Sequence, residues 1–380
     1  MTTMETSSVS VADWTASGSD KELSLASTKL PDNNDFQLWR IALYYVYVEL
    51  KQDNQVEEQI SFHRELCEKL ELNGRIRIST EGLNGVLSGT YSRLLNYEQL
   101  VTHELEALVG GTIQLDVKYC NLREDIPLES QLFDSLMVKK TSTVISLFDA
   151  EPLQSKKRHR RRRPPQPQKD DDDQSPVSTG NDSPVPDLNR LKQEMMQHNP
   201  SPHLTAEEWN EHLLNHKQGT ALLLDVRNVY ESRVGRFMVP DVPTLLTNTR
   251  KYSDLPHLLA TNPHIQDKQE IYMYCTGGVR CERVSMLVQS LYPEKKVYQL
   301  QGGIQTYLAS LNGKKDESTG FFQGKNFVFD PRRTDPTHGP IPVIGKCLVC
   351  SMPHDDYDNG HSPSEEKEAR CNTCRMLILV

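Results

Sequence analysis

At 380 residues the chain has room for two or three domains, each with a core of its own. Hydrophobic residues make up 36% and charged residues 25%, an apolar share that points to segments lying outside any core. The formal net charge of −9 excludes a uniformly basic nucleic-acid binder, so any RNA contact has to come from local patches. No apolar run reaches the ~18 residues needed to cross a bilayer, so a soluble protein with no membrane association is expected.

Residues 1–35 are rich in Ser, Thr and Asp and lack apolar periodicity, which predicts a disordered tail. Its acids, among them Glu5, Asp13, Asp20 and Glu22, and its lack of Arg argue against a transit peptide. Over 36–150, strand and helix patterns alternate. Ala42–Val48 reads as a strand, and Val56, Ile60, His63, Cys67 and Leu70 share one face of a helix. Arg75–Ser79 and Val86–Ser88 read as a hairpin around Glu81-Gly82-Leu83-Asn84-Gly85. A helix at Leu94–Leu108 and a strand at Ile113–Tyr119 complete a β-α-β-β-α-β order, the ferredoxin-like pattern. Arg75 and Arg77 alternate onto one strand face, where with Asn84 they could grip RNA phosphates; ordinary hairpin chemistry accounts for the same residues. Cys67 and Cys120 read as core residues.

Residues 151–202 read as a disordered charged and Pro-rich linker, with the basic run Lys156–Arg163 followed by the acidic run Asp170–Asp173. The basic run is either a solvated face or a contact for RNA or nuclear import. With no targeting signal the cytoplasm is the default compartment, the nucleus entering only through that run. Residues 203–315 carry strands near 222, 271 and 297 separated by helical patterns, which predicts a mostly parallel α/β sheet with its active site beyond the strands' carboxyl ends.

At one such end lies Cys275-Thr276-Gly277-Gly278-Val279-Arg280, between the apolar run Ile271–Tyr274 and a helical pattern through Val284, Leu287, Val288 and Leu291. A thiol at the mouth of a helix meets N–H groups with no intrahelical partner, so its thiolate is stabilised. Gly277 and Gly278 let the loop curl around an anion, and Arg280 adds a fixed positive charge. Cys281 is either a resolving thiol for Cys275 or an inward-facing residue of the first helical turn. Asp225 and Arg227 end another strand on the same rim, where bracing the loop is their expected role. Four of the eight cysteines fall in 316–380 as Cys347-x-x-Cys350 and Cys371-x-x-Cys374, a set suited to a structural zinc ion, with disulfides or unliganded thiols as the alternatives.

The Cys275–Arg280 loop resembles the active-site loop of rhodanese domains, as do Leu222–Arg227 with Glu231 after it and the turn Gly302-Gly303-Ile304. Gly235-Arg236 stands where many rhodanese domains have Gly-His. The longer strings Tyr274–Glu282, Gly324-Lys325-Asn326-Phe327-Val328-Phe329-Asp330 and Gly74–Gly85 resemble the tRNA uridine hydroxylase family, over roughly 40–150 and 200–375. That resemblance implies an N-terminal ferredoxin-like (acylphosphatase-like) domain, a rhodanese domain and a Cys-rich segment, with more cysteines beyond Cys374 than this chain has. It implies oxygen-dependent 5-hydroxylation of the wobble uridine, with tRNA as partner, O2 as co-substrate, Cys275 and Arg280 as catalytic residues and Lys325 as a further RNA-binding candidate. No organic cofactor motif and no protein partner can be identified. The loop alone fits a sulfurtransferase working through a Cys275 persulfide better, while the further domains and strings favour the hydroxylase; a silent binding scaffold is a third reading, against which the intact Cys argues.

Overall fold

The computed structural model describes residues 38–51, 53–148, 187–311, 320–336, 342–347 and 350–354. The tail 1–35, the runs Lys156–Arg163 and Asp170–Asp173, and Cys371 with Cys374 lie outside the described residues. The chain divides into two compact units, 1–144 with 330–332, and 145–329 with 333–380.

In the first unit, β1 (Trp39–Tyr47), α1 (Asp53–Lys69), β2 (Asn73–Ser79), β3 (Gly82–Thr90), α2 (Tyr91–Val109) and β4 (Asp116–Cys120) follow the expected order. The short helix α3 (Leu128–Gln131) and β5 (Leu136–Lys140) come after them. The sheet runs β4-β1-β3-β2-β5. Its fifth strand pairs parallel with β2, an addition to the four-stranded pattern. Gly110 ends α2 in the left-handed region and returns its N–H to the Glu106 carbonyl. Val56, Ile60 and Cys67 from α1 and Leu94, Val101 and Leu105 from α2 pack on Ile76, Ile78, Leu83 and Leu87 of the sheet. Inside this core Tyr44 Oη and Tyr97 Oη are 2.5 Å apart, and His63 Nδ1 lies 2.7 Å from Tyr97 Oη. Burial holds His63 near a pKa of about 3, so the imidazole is neutral there.

The hairpin turn lies at Thr80-Glu81, at the front edge of the expected Glu81–Gly85 turn and four residues before the turn-forming dipeptide Asn84-Gly85, because Ser79 pairs with Gly82 and Arg77 with Asn84. Gly85 is a strand residue chosen for space rather than for turning. A Cβ there would meet the Tyr44 ring at 2.4 Å.

In the second unit, α4 (Leu188–Met195), β6 (His203–Leu204), α5 (Ala206–Asn215), β7 (Ala221–Asp225), α6 (Val229–Ser232), β8 (Gly235–Phe237) and β9 (Thr244–Leu246) come first. Helices α7 (Leu255–Thr261) and α8 (Pro263–Gln266), β10 (Glu270–Tyr274), α9 (Val279–Leu291), β11 (Lys296–Leu300), α10 (Gly303–Leu311) and β12 (Phe322–Gly324) follow. The main sheet is all parallel in the order β6-β11-β10-β7-β9. Its central strands β7 and β10 read as unbroken apolar runs because both faces are covered. One face packs Val284, Leu287 and Val288 of α9 with Leu255 and Leu259 of α7; the other packs Trp209 of α5, Phe237, Ile304 and Tyr307. A capping box opens α5, with Thr205 Oγ1 accepting from Glu208 N–H at 3.2 Å and Glu208 Oε2 accepting from Thr205 N–H at 2.8 Å.

Two boundaries need correcting. Residues 187–202 are not part of a disordered linker: Asp187 caps α4, whose Leu191 and Met195 are buried in the core beside α9. The rhodanese-like unit also extends past 315, because β12 pairs antiparallel with β8.

Candidate active site

Strand β10 ends at Tyr274 and α9 begins at Val279, so Cys275–Gly278 form the crossing from strand to helix in the middle of the parallel sheet. Gly278, at φ 95°, turns its N–H back onto Cys275 Sγ at 3.1 Å. Burial by itself raises the Cys275 pKa. The Cys281 thiol hydrogen bond, the Arg280 charge and the N–H groups of Arg280 and Cys281 outweigh it and bring the value down to about 5. Cys281 moves the opposite way, pushed well up first by burial and then by its bond to Cys275. The two shifts run in opposite senses, so Cys275 is the member of the pair that ionises first.

The loop's carbonyls are tied as firmly as its sulfur. Ile304 N–H donates to Cys275 O at 3.0 Å and Gln305 N–H to Thr276 O at 3.1 Å, so the start of α10 anchors the loop from below. This contact needs Gly303, at φ +67°, since a Cβ there would lie 2.6 Å from Cys275 O and 2.7 Å from Thr276 O.

Arg280 does not stand open to an anion. Its guanidinium grips Glu231 in a two-point bond of 2.8 and 2.7 Å, both side chains being nearly or fully buried. The Thr276 hydroxyl completes the cluster, donating to Glu231 Oε1 at 3.1 Å and accepting from Arg280 Nη2 at 3.2 Å. Glu231 in turn opens α6, accepting from Asn228 N–H at 3.0 Å. The site is thus a sulfur that accepts the Gly278 N–H, next to a cation neutralised by its own carboxylate.

Asp225 and Arg227 form a second buried pair, joined at 2.9 and 2.8 Å, with Arg227 also donating to Gly235 O at 2.5 Å and lying over the Tyr274 ring. They brace β7, β8 and β10 rather than facing the thiol. Arg236 sits on β8 opposite Gln323 and, with Met238, Val239 and Val242, lines an open cavity of about 490 Å³.

The RNA-binding candidates fall in different places. Arg75 is engaged by Ser135 O, Asp134 and the Phe133 ring, whereas Arg77 on the same face is exposed and pairs across the hairpin with Asn84. Lys325 belongs to the other unit, after β12, where its N–H donates to Val234 O. Cys347 O accepts from Ser351 N–H at 3.0 Å, with Ser351 at φ 57°, and Cys350 immediately precedes that residue. Glu231 and Gly303 take roles that the resemblance of their strings does not assign: Glu231 clasps Arg280, and Gly303 lets α10 reach the loop carbonyls. A buried Arg needs a carboxylate, which is the signal that would have assigned Glu231.

Residues 39–144 match a model of the UPF0176 acylphosphatase like domain, and residues 323–379 match a model described as Rhodanase C-terminal. Rhodanese-like domain-containing protein 6 of Arabidopsis thaliana is 31% identical over 91% of this chain; the match spans 50% of that protein's length. A tRNA uridine(34) hydroxylase of Aster yellows witches'-broom phytoplasma is 29% identical over 87% of this chain and 86% of its own. A hydroxylase of the same name from Bacillus mycoides is 27% identical over 88% and 84%. An acylphosphatase-like first unit, a parallel sheet carrying the Cys275 loop and a Rhodanase C-terminal segment follow one another in this chain, which is similar to these tRNA uridine(34) hydroxylases over most of both lengths.

Proposed function

We propose that this chain is a tRNA-modifying oxidoreductase that hydroxylates C5 of the wobble uridine, with Cys275 as nucleophile and O2 as the oxygen source. The observation that carries the reading is the Cys275 sulfur at the carboxyl end of β10, 3.1 Å from the Gly278 N–H, with Arg280 beside it lowering its pKa. A thiolate adds to C6 of a uracil ring, and the electron pair passes onto C5 and O4 as an enolate. C5 is then the nucleophile toward an electrophilic oxygen, and loss of the C5 proton later expels the thiolate and restores the ring. One atom of O2 ends on C5 and the other leaves as water, the two electrons and two protons coming from an external thiol reductant as two thiols become a disulfide. The residues on this chain supply the nucleophile and its positioning. The Gly278 N–H holds the sulfur, and Arg280 with Glu231 fixes the loop that presents it.

The test is nucleoside mass spectrometry on tRNA from cells with and without the protein. 5-Hydroxyuridine-type nucleosides are expected to disappear with the gene and return with the wild-type chain but not with Cys275→Ser; unchanged tRNA overturns the reading. The same thiolate suits sulfane sulfur. If wild type forms more thiocyanate from thiosulfate and cyanide than Cys275→Ser does while tRNA is unchanged, the sulfurtransferase reading replaces it.

A zinc ion held by Cys347, Cys350, Cys371 and Cys374 is part of the same proposal, as a structural clip in a segment with few core residues. Its support is the backbone bonding beside Cys347 and Cys350, in which Cys347 N–H bonds Met352 O at 2.9 Å and His354 N–H bonds Gly345 O at 2.8 Å. Metal analysis of the purified chain and of a Cys347→Ser variant checks it.

A further inference from the structure

The string Phe327-Val328-Phe329 does something its composition alone does not explain: it leaves a large aromatic ring in solvent beside the Cys275–Arg280 loop. Phe327 is 7% exposed and Val328 1%, but Phe329 is 56% exposed. One side of the Phe329 ring is covered by the Arg280 guanidinium, 5.6 Å from its centroid. Its edge meets Phe327 at 5.4 Å and 81°, and half-buried Tyr230 stands at 6.4 Å and 82°. Tyr230 is itself fixed, packed on Phe327 at 5.3 Å and accepting from Asn228 Nδ2 at 3.0 Å. The two rings make a rigid right-angled corner, open on the remaining side of Phe329.

Every wall of this corner is wired to the thiolate loop. Arg280 closes the loop and acts on the Cys275 sulfur, Tyr230 precedes the Glu231 that grips Arg280, and Phe327 O lies 3.4 Å from Thr276 Oγ1. Arg280, already spent on Glu231, is held too tightly to serve as a mobile phosphate hook. It stiffens the ring instead. A flat, fixed, half-open aromatic surface suits the face of a nucleobase, which gains from stacking whatever its edge pattern. A base in an anticodon loop is single-stranded and can be turned out onto such a surface at small cost.

We infer that Phe329 and Tyr230 form the stacking platform for the target uracil, with Phe329 beneath the ring and Tyr230 against its edge. The inference rests on the hydroxylase reading for the identity of the base. Phe329 is a substrate-binding residue in this assignment, distinct from the nucleophile.

The experiment uses the full chain and an anticodon stem-loop RNA with 5-iodouridine at the wobble position, since a stacked iodouracil crosslinks to an aromatic neighbour on irradiation. Crosslinks mapped to Phe329 or Tyr230 are expected. Crosslinks mapped elsewhere, or found only at a distant surface, overturn the platform. In parallel, Phe329→Leu keeps an apolar side chain against Phe327 and removes the ring. It should lower kcat/KM for unmodified tRNA by roughly 5- to 150-fold, largely through KM, with Phe329→Tyr restoring most of it. Iodoacetamide alkylation of Cys275 should stay at the wild-type rate in both variants. An unchanged kcat/KM in Phe329→Leu overturns the inference while the hydroxylase reading stands. Wild type that leaves tRNA unmodified overturns that reading instead, and the crosslink then still decides whether the corner holds a base. A peptide partner competing for the corner would appear as a crosslink map without Phe329 or Tyr230, which counts against it.

Discussion

Cys67 in the first unit and Cys275 in the second are equally shut off from solvent, yet their thiols behave oppositely. Burial pushes Cys67 up to about 12, with the Glu68 charge adding to it, while Cys275 falls to about 5. The difference lies in where each residue meets its helix. Cys67 sits inside α1, where neighbouring N–H groups are already spent on carbonyls one turn back. Cys275 precedes α9, and the Gly278 N–H at that junction, which has no carbonyl one turn back, turns to the sulfur instead. Burial makes a thiol inert unless the backbone around it has donors left over.

The strongest way to break the contrast is to unpair the buried cation. Arg280→Leu strands the Glu231 carboxylate and Glu231→Gln strands the guanidinium, so each should cost about 3–5 kcal/mol in urea unfolding of the second unit. Their effects on reactivity should part company. Arg280→Leu removes a cation acting on Cys275 and raises the pH midpoint of its alkylation, while Glu231→Gln leaves that cation uncancelled and lowers it. Midpoints that move together would show that Arg280 acts on the sulfur through loop geometry alone.

Gly303→Ala comes next. With Cys275 O, Thr276 O and Gly278 N all within 2.8 Å of the new Cβ, the loop has to shift, costing about 1–3 kcal/mol and raising the Cys275 midpoint. Unfolding of the first unit, followed separately, should be unaffected. The smallest effect is expected from Cys281→Ala, which removes one thiol donor, costs about 1 kcal/mol and moves the midpoint up from about 5. The sign follows from linkage. A thiol whose folded pKa lies below its unfolded value of roughly 8.5 contributes stability that is complete above that value and is lost as pH falls through about 5. Wild type should therefore gain stability over Cys281→Ala as pH rises across that window, and Cys67 should stay unreactive throughout it.

Much of this was legible in the chain. The α1 stripe of Val56, Ile60, His63 and Cys67, and the unbroken apolar runs of β7 and β10, follow directly from periodicity. Asn84-Gly85 misled because a turn-forming dipeptide can equally be a seat for a ring, and Tyr44 lies 41 residues away in sequence. β5 escaped because Leu136-Met137-Val138-Lys139-Lys140 is an edge strand with no buried residue to betray its face. Helix α4 escaped because Leu191 and Met195 are its only buried residues in an otherwise polar stretch. At the site, the reactive Cys and its glycines could be read locally, whereas the Glu231 clasp on Arg280 joins residues 49 apart and the exposed ring of Phe329 has no sequence signature.

That clasp also sets how the protein responds to its ionic surroundings. Because the Arg280–Glu231 pair is buried and internally neutral, dissolved salt screens it little, and sulfate or phosphate finds no uncompensated cation there to occupy. Exposed charges such as Arg77 are screened fully. Under the proposed function, ionic strength should therefore act on the grip of the RNA while leaving Cys275 as reactive as before, so capture and chemistry can be titrated apart with nothing more than added salt.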